Sequence, residues 1–147
     1  LVLYQKPDAH IVRISNLYGD AGRNWASKLR DTLLRGEVVG ADERRTVAPT
    51  WARWVAEASI RLVHAPGGTY HVAPTGWCSW ADFADRMAAD LAIDRRLVQR
   101  ILLSRRAPLT QRGLLSSVML PLRGVDVPSW GDLLSRYLKE ERTCTAS

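Results

Sequence analysis

Apolar residues recur along this chain with two alternating periods. His10-Ile11-Val12-Arg13-Ile14 is a short β-branched run, the composition of a strand covered on both faces. Ser15, Asn16, Tyr18 and Gly19 follow at once and predict a polar turn at that strand's carboxyl end. Residues 22–34 predict a helix with Asn24 as N-cap, Trp25, Leu29, Thr32 and Leu33 on one face and Gly36 as its stop. Residues 37–40 predict a short strand, and the polar, arginine-rich stretch 41–48 a loop. Pro49 and Thr50 open a second helix whose Trp51, Trp54, Val55, Ala58 and Leu62 keep the i, i+3, i+4, i+7 spacing. Pro66-Gly67-Gly68 ends it and leads into a strand over 69–73. Ser79-Trp80-Ala81-Asp82 has the form of a capping box, with Asp in place of Glu or Gln, and Trp80, Phe83, Ala84, Met87 and Leu91 line the helix that follows. A strand over 97–103 and a loop over 104–113 come next. The last helix starts after Pro128, with Ser129 as N-cap and Trp130, Leu133, Leu134, Tyr137 and Leu138 inward; beyond Glu141 the tail is expected to fray.

Strands alternating with helices in this way predict α/β layers. In such sheets ligands bind in the crevice beyond the carboxyl ends of the strands, where Ser15 and Asn16 fall. No internal repeat, low-complexity segment or linker divides the chain, so it reads as one packed unit.

Composition changes this picture little. The chain has 147 residues, 46% hydrophobic and 24% charged, an ordinary globular balance. No apolar run is long enough to span a bilayer. The net charge of +6 comes mainly from arginines, scattered as the doublets Arg44-Arg45, Arg95-Arg96 and Arg105-Arg106. They suit solvated helix ends or the attraction of an anionic ligand; no nucleic-acid motif accompanies them. Cys78 and Cys144 lack metal-ligand spacing, and His10, His64 and His71 belong to no cluster, so no metal is expected. A reduced, cytoplasmic setting is the expectation, with no membrane partner. Most of the six tryptophans suit core packing; Trp77 is the exception, expected at the surface.

Several motifs then fall in a telling order. Arg13-Ile14-Ser15-Asn16-Leu17-Tyr18-Gly19 resembles the Arg-x-x-Asn-x-Tyr-Gly turn of extended short-chain dehydrogenases/reductases, the NAD(P)-dependent enzymes of sugar nucleotides. Further pieces resemble the dTDP-4-dehydrorhamnose reductase branch: Gly22-Arg23-Asn24-Trp25, Ala48-Pro49-Thr50, Gly68-Thr69-Tyr70-His71-Val72, Ser79-Trp80-Ala81-Asp82-Phe83-Ala84, Arg112-Gly113-Leu114-Leu115-Ser116 and Pro128-Ser129-Trp130. Each is weak alone; in order they cover residues 9–138. There are departures. Asn16 stands where the branch has tryptophan, Arg53 where relatives often place an acid, and Gly113 and Leu115 replace a proline and a polar residue.

The resemblance implies a fold and a division of labour. The fold would be the C-terminal part of a Rossmann-type NAD(P)-binding fold, its last strand and helix in 1–40, with the small substrate-binding lobe and closing helices in 41–147. The glycine-rich loop and the Tyr-x-x-x-Lys pair would lie before Leu1. Tyr4 is no substitute, since position 8 is Asp8, so no catalytic residue is assigned in the chain and it would be inactive alone. The intact protein would reduce a 4-keto sugar on a nucleoside diphosphate with NADP or NAD as cofactor. The alternatives are a sugar-nucleotide epimerase or dehydratase and a non-catalytic binding subunit on the same fold. Ile14 and Ser15 would border the cofactor, and Asn16, Arg44, Arg45 and Arg112 the substrate; a guanidinium fork suits a diphosphate. Arg13 would brace the strand end, Tyr18 would pack, and a homodimer is an open expectation.

Overall fold

A computed structural model describes residues 2–19, 24–102 and 117–144. After a short helix, α1 (Val2–Gln5), come β1 (His10–Ile14), β2 (Asn16–Tyr18), α2 (Trp25–Leu34), β3 (Val39–Asp42), β4 (Thr46–Val47), β5 (Pro49–Trp51) and α3 (Ala52–Leu62). They are followed by β6 (Gly68–Val72), β7 (Cys78–Ser79), α4 (Trp80–Asp90), β8 (Val98–Ile101) and α5 (Trp130–Cys144). Among the described residues, three of the four strand pairs are parallel, β1 with β6, β2 with β5 and β3 with β8, and only β4 and β7 run antiparallel. This is the expected α/β class with parallel strands.

The helices start and stop where local chemistry directs. The Asn24 side chain accepts hydrogen bonds from the Ala26 and Ser27 amides at 3.0 and 3.1 Å, and the Ser27 hydroxyl accepts from the Asn24 amide. Gly36, at φ +72°, closes α2: its amide donates to the Leu33 carbonyl and that of Glu37 to Thr32. The capping box of α4 is present, with Ser79 Oγ accepting from the Asp82 amide and Asp82 Oδ2 from the Ser79 amide, each at 3.0 Å. Ser129 caps α5 in the same way.

The core lies between α4 and α5 and the ends of the short strands. Phe83 and Tyr137 are fully buried, and Tyr18, at the end of β2, is 1% exposed with edge-on contacts to Trp25, Phe83 and Tyr137. Tyr18 is thus a packing residue, as expected. On the other side of this core, Arg53 joins α3 to α5 by an ion pair with Glu140.

The short strands depart most from the sequence pattern. Residues 16–18 form β2 rather than a turn, and Pro49-Thr50-Trp51 form its partner β5 rather than the first turn of a helix, which begins only at Ala52. Each of these three-residue strands exists because the other supplies its ladder, and proline is tolerated as the first residue of a strand. The loop expected over 41–48 carries the end of β3 and all of β4, and the strand expected over 37–40 lies two residues later. The strand expected over 97–103 is shorter, Val98–Ile101, because a 3-10 turn occupies Arg95–Leu97. Helix α5 continues through Cys144, past the point of expected fraying. Arg13 is exposed and makes no hydrogen bond or ion pair among the described residues, so it does not brace the strand end.

Candidate functional site

The parallel pairing of β1 with β6 brings two carboxyl ends to one edge. Ile14 is in register with Val72, so Ser15 emerges beside Ala73. Ile14 is 40% exposed at this end, an uncovered apolar spot. Ser15 and Asn16 are half-buried, and the Ser15 hydroxyl points to Asn16 Oδ1 at 3.5 Å. Asn16 then pairs with Pro49, which places it against the segment 45–51. Ser117 reinforces the same edge: its hydroxyl accepts from the Ala73 amide at 2.9 Å and faces the carbonyls of His71 and Ala73 at 2.8 and 2.7 Å. Nothing local in the sequence marks Ser117, because its partners lie more than forty residues away.

A cavity of about 280 Å³ opens at the other end of segment 45–51, walled by Trp25, Leu29, Val39, Gly40, Arg45 and Trp80 among others. Trp25 and Trp80 are the first residues of α2 and α4, and their rings meet edge to face with centroids 4.0 Å apart. Asp42 also lines the cavity, so its lining carries one carboxylate beside the Arg45 guanidinium. The Arg45 guanidinium lies over the Trp80 ring, 5.7 Å from its centroid, and forms no ion pair with a carboxylate among the described residues. Arg44 is exposed, its amide donating to Asp42 Oδ1 at 3.0 Å, and it does not line this cavity. Arg112 lies outside the described residues. Trp25 and Trp80 read in the sequence as core residues; their place at helix starts, each behind a strong cap, is the signal that sets them apart.

Outside the cavity, burial opposes the ionisation of Asp82, but hydrogen bonds from Ser79 and Arg100 outweigh it and hold its carboxyl below the usual range. Arg100 spans Asp82 and Asp85, tying β8 to α4. Burial pushes the Cys78 thiol up, with the Asp82 charge adding to it, which disfavours its thiolate. His71 is half-buried within β6, and His10 contacts the Ala65 carbonyl at 2.9 Å; both have structural places. No group of three metal-binding side chains gathers among the described residues, and none of the described helices is long and apolar enough to cross a membrane.

The described residues thus form an α/β unit with parallel strand pairs and, beside them, an aromatic cavity that holds Arg45 and Asp42. The chain belongs to the RmlD substrate binding domain family, which it matches over residues 1–143. It is 28% identical over 145 residues to the spore coat polysaccharide biosynthesis protein SpsK of Bacillus subtilis, covering 95% of this chain and 50% of that protein. It is also similar to dTDP-4-dehydrorhamnose reductase of Bacillus anthracis, solved in complex with NADP, at a TM-score of 0.76 and 28% identity over 89% of this chain and 48% of that one. A dTDP-4-dehydrorhamnose reductase ortholog from Clostridium acetobutylicum shares the fold at a TM-score of 0.79 and 23% identity, covering 96% of this chain and 51% of the other. The chain therefore spans about half the length of the relatives it matches.

Proposed function

We propose that this chain is the substrate-binding portion of an NAD(P)H-dependent reductase that acts on the 4-keto group of a sugar carried by a nucleoside diphosphate. The observation that carries this reading is Arg45: a guanidinium without a carboxylate partner among the described residues, resting on Trp80 at the rim of an aromatic cavity. A planar cation so placed suits a diphosphate, and the walls formed by Trp25 and Trp80 suit a base. Asn16, with both donor and acceptor groups, suits the sugar at the strand-end side of the same segment. Arg44 and Arg112 stand as further candidates for the phosphates. A reduced nicotinamide supplies hydride to a carbonyl carbon when bound. Ile14 and Ser15 would border it, and the exposed Ile14 side chain beside a hydroxyl fits a flat ring with one polar edge. The similarity to reductases at 28% identity supports this reaction class over the dehydratases and epimerases, whose likeness lies at 12–18% identity and concerns the fold alone.

Calorimetric titration with dTDP tests the substrate class. The chain is expected to bind dTDP, and Arg45→Ala to weaken that binding roughly tenfold or more, as loss of a hydrogen bond to a charged group does. Absence of binding to the unaltered chain, or an unchanged affinity in Arg45→Ala, overturns the assignment.

A further inference from the structure

Asp42 brings a carboxylate to a cavity whose other lining residues, Arg45 apart, are Trp25, Leu29, Val39, Gly40, Ala41, Trp80 and Ala84. An aspartate that takes the amide two residues further on is a common turn device. The surroundings of this one give it more to do.

Its carboxylate is held at one oxygen only. Asp42 ends β3 in register with Ile101 of β8, and the following amide, that of Glu43, donates to the Ile101 carbonyl at 3.2 Å. The Arg44 amide donates to Asp42 Oδ1 at 3.0 Å. Oδ2 has no hydrogen-bond or ion-pair partner among the described residues. The two arginines that follow leave it so: Arg44 is exposed, and the Arg45 guanidinium rests on the Trp80 ring.

A ligand that fills this cavity strips water from Oδ2. An ionised oxygen left without a donor is costly, so the ligand must return a hydrogen bond there. A phosphate oxygen accepts and cannot do so. A hydroxyl can.

Order along the chain selects the hydroxyl. Residues 39–41 line the cavity that suits the base, Asp42 ends that strand, and Arg45, suited to the diphosphate, comes three residues later. A nucleotide has the same order, with its ribose joined between base and diphosphate. With the base among the tryptophans and the diphosphate at Arg45, the ribose falls at Asp42.

We infer that Asp42 accepts a hydrogen bond from the ribose 3′-hydroxyl of the nucleoside-diphosphate sugar. This rests on the substrate class proposed above. Calorimetry on the 147-residue chain compares dTDP with 3′-deoxythymidine diphosphate, which lacks only that hydroxyl. The unaltered chain should bind dTDP roughly tenfold more tightly or better, the size of a hydrogen bond to a charged group. Asp42→Ala should erase the difference. Asp42→Asn keeps an oxygen for the Arg44 amide; it should reduce the difference to about threefold, that of a neutral hydrogen bond, and leave the melting temperature unchanged. The ratio of the two ligands is the readout, because removing a carboxylate also strengthens the binding of both diphosphates. A ratio near one in the unaltered chain, or a full ratio kept in either variant, overturns the ribose contact while leaving the substrate class standing. Failure of the unaltered chain to bind dTDP overturns both.

Discussion

Segment 45–51 runs between two walls of different construction. On one side, α2 and α4 start from capped ends and lock Trp25, Trp80, Phe83 and Tyr18 into one aromatic cluster. On the other, the strand-end edge is thin: Ile14 and Leu17 are 40% and 43% exposed, and Ser15 and Asn16 are half-buried. The packed wall can hold a ligand's rigid end without rearranging, because its side chains already have their partners. The thin edge carries the small polar side chains of Ser15 and Asn16. Stability and recognition are thereby separated across about one strand width.

Four substitutions probe that separation. The largest effect is expected at Phe83, fully buried between the cluster and α5. Phe83→Ala should lower stability by about 3–5 kcal/mol in denaturant unfolding, whereas Ile14→Ala on the thin edge should cost less than about 0.5 kcal/mol. Comparable losses at the two positions would erase the contrast.

A smaller effect tests whether the helix start sustains the packed wall. Ser79→Ala removes the hydroxyl that accepts from the Asp82 amide and should cost about 1 kcal/mol, read as a lowered urea midpoint. An unchanged midpoint would mean that packing alone holds α4 in place.

The smallest effect concerns acid. The Asp82 carboxyl titrates lower in the folded chain than in the unfolded one, so the unfolded chain binds more protons in that window. The resulting stabilisation is complete above the ordinary carboxylate range and is lost as pH falls through the folded value. Arg100→Met, which removes one of the two hydrogen-bonding sources, should shift the acid-unfolding midpoint to slightly higher pH. Because both groups are partly exposed, the shift should shrink in high salt. A midpoint that does not move would leave Ser79 as the sole cause.

Legibility in the sequence tracked locality. Asn24, Gly36, Ser79 and Ser129 act within three residues of themselves, and their roles could be read directly. The helix faces of α3, α4 and α5 followed from their 3.6-residue period. Asn16 and Arg45 emerge at the two ends of one segment as candidates, while Arg44 is exposed and does not line the cavity and Arg112 lies outside the described residues. Pro49-Thr50-Trp51 misled because proline and threonine before an amphipathic run form a common helix start. Only the presence of β2 alongside turns them into a strand. Ser117 was invisible for the same reason: its hydroxyl matters only where β6 ends.

The sequence by itself determined the α/β class, the caps, the helix faces and the family, because each depends on neighbours in the chain or on residue order. The tertiary structure decided which short segments became strands, that Trp25 and Trp80 wall a cavity as well as pack on the core, and that Arg45 and Asn16 meet at one segment. Those features depend on partners dozens of residues apart, and a three-residue strand carries too little pattern to announce a partner before the fold has brought it near.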